Sequence, residues 1–314
     1  SVSAFLLNRS SDLSLIETEI GKVEVLWKSD GIKIKNLRYN DHEISFELEQ
    51  DKNRKIGENA LIAIYDKYNL IVWSWHIWYY EGDLSPIYFG NHPRKRTTKS
   101  YQFAILPVNL GWNGEIGTYY QWGRKDPFRG DIEEVNVSEK SNPDIVDCIR
   151  QPNRMHGDLD YEGHVNLWDA RCENIGNEYI QPPNKSRHTI KTIYDPCPAG
   201  LKIPGRNVFQ TLVKSGVIEE DSMGVKWKDG LYFRGSRSCG PEGVFFPASG
   251  YRDRASGGLN LVSRCGYYWS SAAIRAECAY SLAFSSGLLI QVDSSNRRVV
   301  GFSVRPLLEW KDER

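Results

Sequence analysis

The stretch "GYYWSSAAIRAECAYSLAFSSGLLIQVDSSNRRVVGFSVRPL", residues 266–307, pairs a well-specified frame with loose filling. Its ends are aromatic and punctuated by glycine. "GFSVRPL" alternates Phe302, Val304 and Pro306 with Ser303 and Arg305, the period of a half-buried terminal strand. The middle, residues 272–300, mixes small residues, arginines and aliphatics. Such a pattern predicts a core set by Tyr267, Tyr268, Trp269, Phe302 and Val304. The intervening strands and turns are expected to point outward and to contribute little to stability.

Outward from this stretch, the chain of 314 residues has room for one large domain or two ordinary ones. It is 40% hydrophobic and 12% aromatic, with 10 Trp and 17 Tyr, so a sizeable core can be buried. Forty basic residues balance 40 acidic ones, which removes the long-range field a nucleic-acid binder carries. The basic run "HPRKRTTK" (92–99) reads as a solvated loop. No run approaches the ~18 apolar residues of a membrane span. The opening "SVSAFLLNRSSDLS" shows no signal peptide. Six cysteines (Cys148, Cys172, Cys197, Cys239, Cys265, Cys278) form no CxxC pair, which argues against structural zinc. Disulfides and free buried thiols both remain open.

The first 80 residues read as strands: "KVEVLW" (22–27), "IKIKNLRY" (33–40), "EISFELEQ" (43–50), "ALIAIYD" (60–66) and "LIVWSWHIWYY" (70–80). Turn signals separate them, and their spacing predicts a small sandwich. In "WSWHIW", Trp73, Trp75 and Ile77 share one face, and Ser74, His76 and Trp78 the other. His76 lacks a partner at ligand spacing and reads as structural. From about residue 81 loops lengthen and strands become short. The clearest helix is "GRNVFQTLVKSG" (205–216), with Val208, Leu212 and Val213 on one face and Gly216 at the C-cap.

Signatures of catalysis are missing: no GxSxG elbow, HExxH, P-loop or helix-opening GxGxxG is present. His156 and His164 lie near Asp158, Asp160 and Glu162, a combination that could hold a metal. Without regular structure to aim those side chains, they read as a polar surface loop. "QPN" (151–153) and "NLWD" (166–169) lack the paired acidic set calcium requires. No metal, cofactor or catalytic residue is therefore expected. Sequons stand at Asn8, Asn136 and Asn184.

Several motifs then line up in order: "GENALIAIYDKYNLIVWSWHIW" (57–78), "VNLGW" (108–112), "GTYYQWGRKDPF" (117–128), "LWD" (167–169), "KTIYDPCPAGLKIP" (191–204), "FPASGYRD" (246–253), "GYYWSS" (266–271) and "GFSVRPL" (301–307). Together they resemble the Fibrobacter succinogenes major paralogous domain, over nearly all of 57–307. The resemblance implies an α+β fold: a fimbrillin-like β-sandwich over 1–82, then a C-type-lectin-like domain over 83–314 with few short helices and long loops. That domain is related to the formylglycine-generating enzyme. The resemblance also implies a bacterial surface protein with a lipid anchor upstream of this stretch and an extracellular protein or glycan ligand. The chain departs from the family at Pro107 and Val108, where an acidic and a basic residue are usual. It departs again at Pro306, where a Cys often stands. Cys265 and Cys278 match no formylglycine-generating motif, so that activity is not carried over.

One branch of the lectin-like superfamily is diversified by retroelements that mutate adenines, typically at AAC or AAT codons. Randomising the first two bases of such codons cannot produce Lys, Glu, Gln, Met or Trp. Between Ala272 and Val300 only Glu277 and Gln291 belong to that unreachable set. No Lys occurs from 229 to 310, a window with nine Arg. Retroelement diversification and a merely small, Arg-rich loop region both fit. Either way the expected binding face comprises Ala273, Ile274, Arg275, Ser281, Ala283, Ser285, Arg297 and Val299, flanked by Arg254 and Arg264. Arginine and aliphatic anchors among small residues suit a protein or glycan partner. The expectation is a non-enzymatic adhesin. A structural or tip subunit of a fimbria and an enzyme on the formylglycine-generating scaffold stand as rivals.

Overall fold

The computed structural model describes residues 3–7, 19–40, 43–50, 55–91, 101–158, 164–175, 178–180, 189–215, 217–218, 227, 229–234, 243–287 and 289–309. Strands make up 47% and helices 7%, so the fold is α+β and mostly sheet. The basic run at 92–99, the sequons at Asn8 and Asn184, and Cys239 lie outside the described residues. Among the described residues no helix is long and apolar enough to cross a membrane.

The N-terminal strands are β1 (Ser3–Leu7), β2 (Ile20–Lys28), β3 (Ile32–Asn40), β4 (Glu43–Gln50), β5 (Gly57–Asp66) and β6 (Ile71–Tyr80). They form a four-stranded antiparallel sheet in the order β1-β6-β5-β2 and a separate β3-β4 hairpin. Between the two layers Ile62, Ile64, Trp75 and Ile77 pack with Ile32, Leu37 and Phe46. This is the face that the alternation in "WSWHIW" predicts. The opposite face of β6 is buried too. Ser74 Oγ donates to Asp126 Oδ1 at 2.6 Å, Trp78 Nε1 donates to Trp112 O at 3.1 Å, and Trp78 joins a cluster with Leu110, Tyr120, Trp122, Trp269 and Phe302. Buried contacts thus cross the expected boundary at 82/83.

Short elements follow: β7 (Ile87–Asn91), β8 (Tyr101–Ile105), β9 (Tyr119–Gln121), β10 (Val137–Ser138), α1 (Ile145–Arg150), β11 (Met155–His156), β12 (Glu173–Ile175), β13 (Glu178–Ile180), β14 (Leu201–Lys202) and α2 (Arg206–Lys214). The helix α2 sits inside the span read from sequence and buries Val208, Phe209 and Leu212; residue 216 lies outside the described residues. Then come β15 (Val217–Ile218), β16 (Gly230–Phe233), β17 (Val244–Pro247), β18 (Tyr251–Arg252) and β19 (Leu259–Asn260). The chain closes with β20 (Cys265–Arg275), β21 (Cys278–Ser285), β22 (Ile290–Arg297), β23 (Gly301–Ser303) and β24 (Leu307–Leu308). The principal sheet runs β19-β18-β23-β20-β21-β22, with β9 also paired to β23.

Long irregular segments carry carbonyls that no ladder satisfies, and buried guanidiniums meet them. Arg252 donates to Arg129 O, Ile132 O, Glu133 O and Gly257 O. Arg124 donates to Gln151 O and Arg154 O at 3.1 and 2.8 Å. Arg305 donates to Leu106 O and Phe245 O. In "YDPCPAG" the Asp195 carboxylate accepts from the Cys197 and Ile203 N–H groups, closing the turn that the two prolines shape. "GFSVRPL" is buried on both faces rather than half-buried. Its polar positions find internal partners: Ser303 Oγ lies 2.8 Å from Ser249 Oγ, and Arg305 is held as above.

Candidate binding surface

The segment expected to carry the binding face folds as the β20-β21-β22 ribbon. Its burial corrects the expectation. The interior strands β20 and β21 are covered on both faces, while β22, with a single strand neighbour among the described residues, alternates half-buried and exposed positions. Small side chains in residues 272–283 are therefore core, chosen by the space available.

Four expected face residues are buried and do not face solvent. Ala273 is 1% exposed and packs in the cluster of Trp122, Trp168 and Trp269. Between Trp269, opposite Ser281, and Ala273, opposite Ala279, β20 carries extra residues. That bulge turns Ser270 O toward Trp122 Nε1 at 2.9 Å and Ser271 N–H toward Pro204 O at 2.8 Å. Ser281 is fully buried, with its Oγ accepting from Asn296 Nδ2 at 2.9 Å. Ala283 is 9% exposed, between Tyr267 and Gln291 in register. Val299 packs with Cys148, Ile145 and Ala276, holding the β20–β21 turn and the segment after β22 against α1.

The other six reach the surface, but not together. Arg275, Cys278 and Arg297 form one rung across three strands, with both arginines exposed and neither ion-paired among the described residues. Ile274, half-buried, adjoins them. At the other end of the hairpin Ser285 lies opposite Cys265, and Arg264 O accepts from Ser286 N–H at 2.9 Å. Seven residue steps along β21, from Cys278 to Ser285, separate the ends, about 23 Å at strand rise. Arg254 is a tether: its Nη1 donates to Gly157 O at 2.8 Å, pinning the loop after β18.

Arginine abundance in this part of the chain has a structural component as well. Of the nine arginines between 229 and 310, Arg252, Arg298 and Arg305 are fully buried. The Arg298 guanidinium stacks 4.0 Å from the Trp122 ring centroid.

The remaining chemistry is internal. Cys148, Cys172, Cys197, Cys265 and Cys278 are all free. Burial pushes the Cys148 thiol up to about 11 and that of Cys172 up to about 12, and raises Cys197 well above the ordinary range. No group of three metal-ligating side chains occurs among the described residues. His156 is instead fully buried, with both ring nitrogens lacking a hydrogen-bond partner; burial lowers it to about 3, and Arg124 nearby adds to that. Lys125 Nζ contacts Asp126 Oδ1 at 2.5 Å over the Trp73 ring, and burial lowers its pKa. That Ser74–Lys125–Asp126 group is buried away from solvent.

Sequence reasoning missed the loop before β20, where Leu261 and Ser263 have φ of 56° and 63°. Nothing in "LNLVSRCG" announces left-handed backbone at a leucine. No protein-family model, curated protein or solved structure matches this chain.

Proposed function

We propose that this chain is a non-enzymatic bacterial cell-surface adhesin, a C-type-lectin-like scaffold anchored at the outer membrane that recognises an extracellular protein or glycan. The observation that carries this reading is the Arg275–Cys278–Arg297 rung, where two exposed guanidiniums with no acidic partner among the described residues flank the buried Cys278 on a closely packed three-stranded ribbon. Rigid strands that present unpaired arginines pre-organise recognition, because little side-chain and loop order has to be acquired on binding. The motif resemblance to the Fibrobacter succinogenes major paralogous domain supplies the lectin-like and surface parts of the reading.

Retroelement diversification fits the same site in a restricted form. The exposed positions that such mutagenesis can reach, and that make no ion pair among the described residues, are Arg275, Ser295 and Arg297. A near-repeat of the gene segment with asparagine codons at those positions, beside a reverse transcriptase, is the expected genomic finding. The fimbrial-subunit reading stands second, since β1 and β2 form the edges of the N-terminal sheet and each has one strand neighbour among the described residues.

A glycan and host-protein array tests the first reading, with the Arg275→Ala/Arg297→Ala variant as comparison. Loss of the wild-type hits in the double variant is expected. Unchanged hits remove the face.

A further inference from the structure

We propose that the opposite end of the β20–β21 hairpin is a second, independent docking surface, built for a protein partner that offers an apolar recess beside a carboxylate. Three observations converge there. The first is strain. Leu261 and Ser263 both occupy the left-handed region, which costs L side chains energy and is a genuine outlier for leucine.

The surroundings impose that conformation. Ser263 N–H donates to Ala248 O at 2.8 Å, and the Arg264 and Cys265 N–H groups donate to Leu261 O at 3.1 and 3.0 Å. Gly250 lets the loop approach: a Cβ there would stand 2.0 Å from Asn260 O and 2.7 Å from Val262 N. Trp227 Nε1 adds a bond to Ser263 O at 3.2 Å.

The second observation is what this held loop presents. Leu261 is 40% exposed, and Leu289, on the turn between β21 and β22, is 61% exposed. The turn is joined to the loop through Ser286 N–H to Arg264 O at 2.9 Å and closed by Ser285 N–H to Leu289 O at 3.1 Å. Folding alone selects glycine or asparagine at such φ and turns leucine inward. Here a fixed, strained loop holds leucine out.

The third is charge. Arg264 is exposed and has no ion pair among the described residues. A guanidinium beside aliphatic anchors selects a carboxylate beside an apolar recess. A single arginine in a chain of zero net charge gives no field for a polyanion.

The test pans a random peptide-display library against the folded full chain and measures the enriched synthetic peptides by fluorescence polarisation. Expected are peptides with Asp or Glu next to a large apolar residue. Their binding should weaken at least tenfold for Arg264→Glu and for Leu289→Ser, and stay unchanged for Arg275→Ala/Arg297→Ala. Replacing the peptide's acid by Lys should restore binding to Arg264→Glu.

Peptides that bind Arg264→Glu and Leu289→Ser as tightly as wild type overturn the proposal, as does a library with no enrichment. Leu261→Asn separates docking from packing, since asparagine tolerates this φ. It should keep or raise Tm while losing at least tenfold in peptide affinity. A Tm several degrees lower would make Leu261 a structural residue and overturn its role. Self-association in sedimentation that Arg264→Glu abolishes would assign the surface to a second copy and overturn the foreign-protein reading.

Discussion

His76 Nε2 lies 2.8 Å from Asn59 Oδ1, and its Nδ1 lies 3.1 Å from the Tyr120 hydroxyl. Asn59 Nδ2 donates to Gly111 O at 2.9 Å, so Oδ1 is the acceptor that faces the ring. The imidazole therefore carries its proton on Nε2 and accepts at Nδ1, neutral and with both nitrogens in use. Burial lowers its pKa to about 3.

That neutrality predicts acid lability. His76 and His156 both fall to about 3 in the folded chain, against about 6.5 when unfolded. The unfolded state binds more protons between those values, so stability is full above pH ~6.5 and falls as pH drops toward 3. Each histidine contributes a slope of up to about 1.4 kcal/mol per pH unit. Denaturant midpoints at pH 4.5 should lie well below those at pH 7.5. His156→Phe should halve the slope and cost little at pH 7.5, because it removes two unpartnered buried nitrogens. An unchanged slope in that variant would place the titration elsewhere.

Arg252 predicts a large loss from one side chain. Arg252→Ala would strand the carbonyls of Arg129 and Ile132 and leave those of Glu133 and Gly257 with only a backbone N–H each, costing about 3 kcal/mol in urea unfolding. Arg252→Lys should recover only part of it, since an ammonium cannot reproduce the fork.

The burial of the ribbon separates tolerant from intolerant positions. Ala273→Leu should destabilise by about 1–3 kcal/mol through overpacking. Ser295→Arg and Gln291→Arg should stay within about 0.5 kcal/mol. Thermal melts of the three variants decide it, and equal effects would contradict the burial described above.

Thiol labelling addresses the enzyme rival. Cys265 is half-buried, whereas Cys148, Cys172, Cys197 and Cys278 are buried. Brief alkylation of native protein followed by peptide mapping should find label on Cys265, and on the other four only after unfolding. Preferential fast labelling of Cys278 would revive a catalytic cysteine.

Periodicity was legible where one principle acted alone. The two faces of "WSWHIW", the α2 stripe of Val208 and Leu212, and the aromatic frame at Tyr268, Trp269 and Phe302 all follow from side-chain spacing and ring size. The binding face was legible only in part. Small residues such as Ala273 and Ser281 fit a solvated surface and a crowded interior equally well, and alternation cannot say how many faces of a strand are covered.

The sequence by itself determined a mostly-sheet chain, its strand-rich start, its helix α2 and the rings of its core, because each is written in local pattern. Only the tertiary structure decided the rest. Strand order buried β20 and β21 on both faces and left β22 half in solvent. It sent Arg252 and Arg305 inward to backbone carbonyls while Arg264, Arg275 and Arg297 stayed outside. An arginine's role depends on which backbone carbonyls lie around it, and Arg129, Ile132 and Glu133 for Arg252, like Leu106 for Arg305, lie over a hundred residues away.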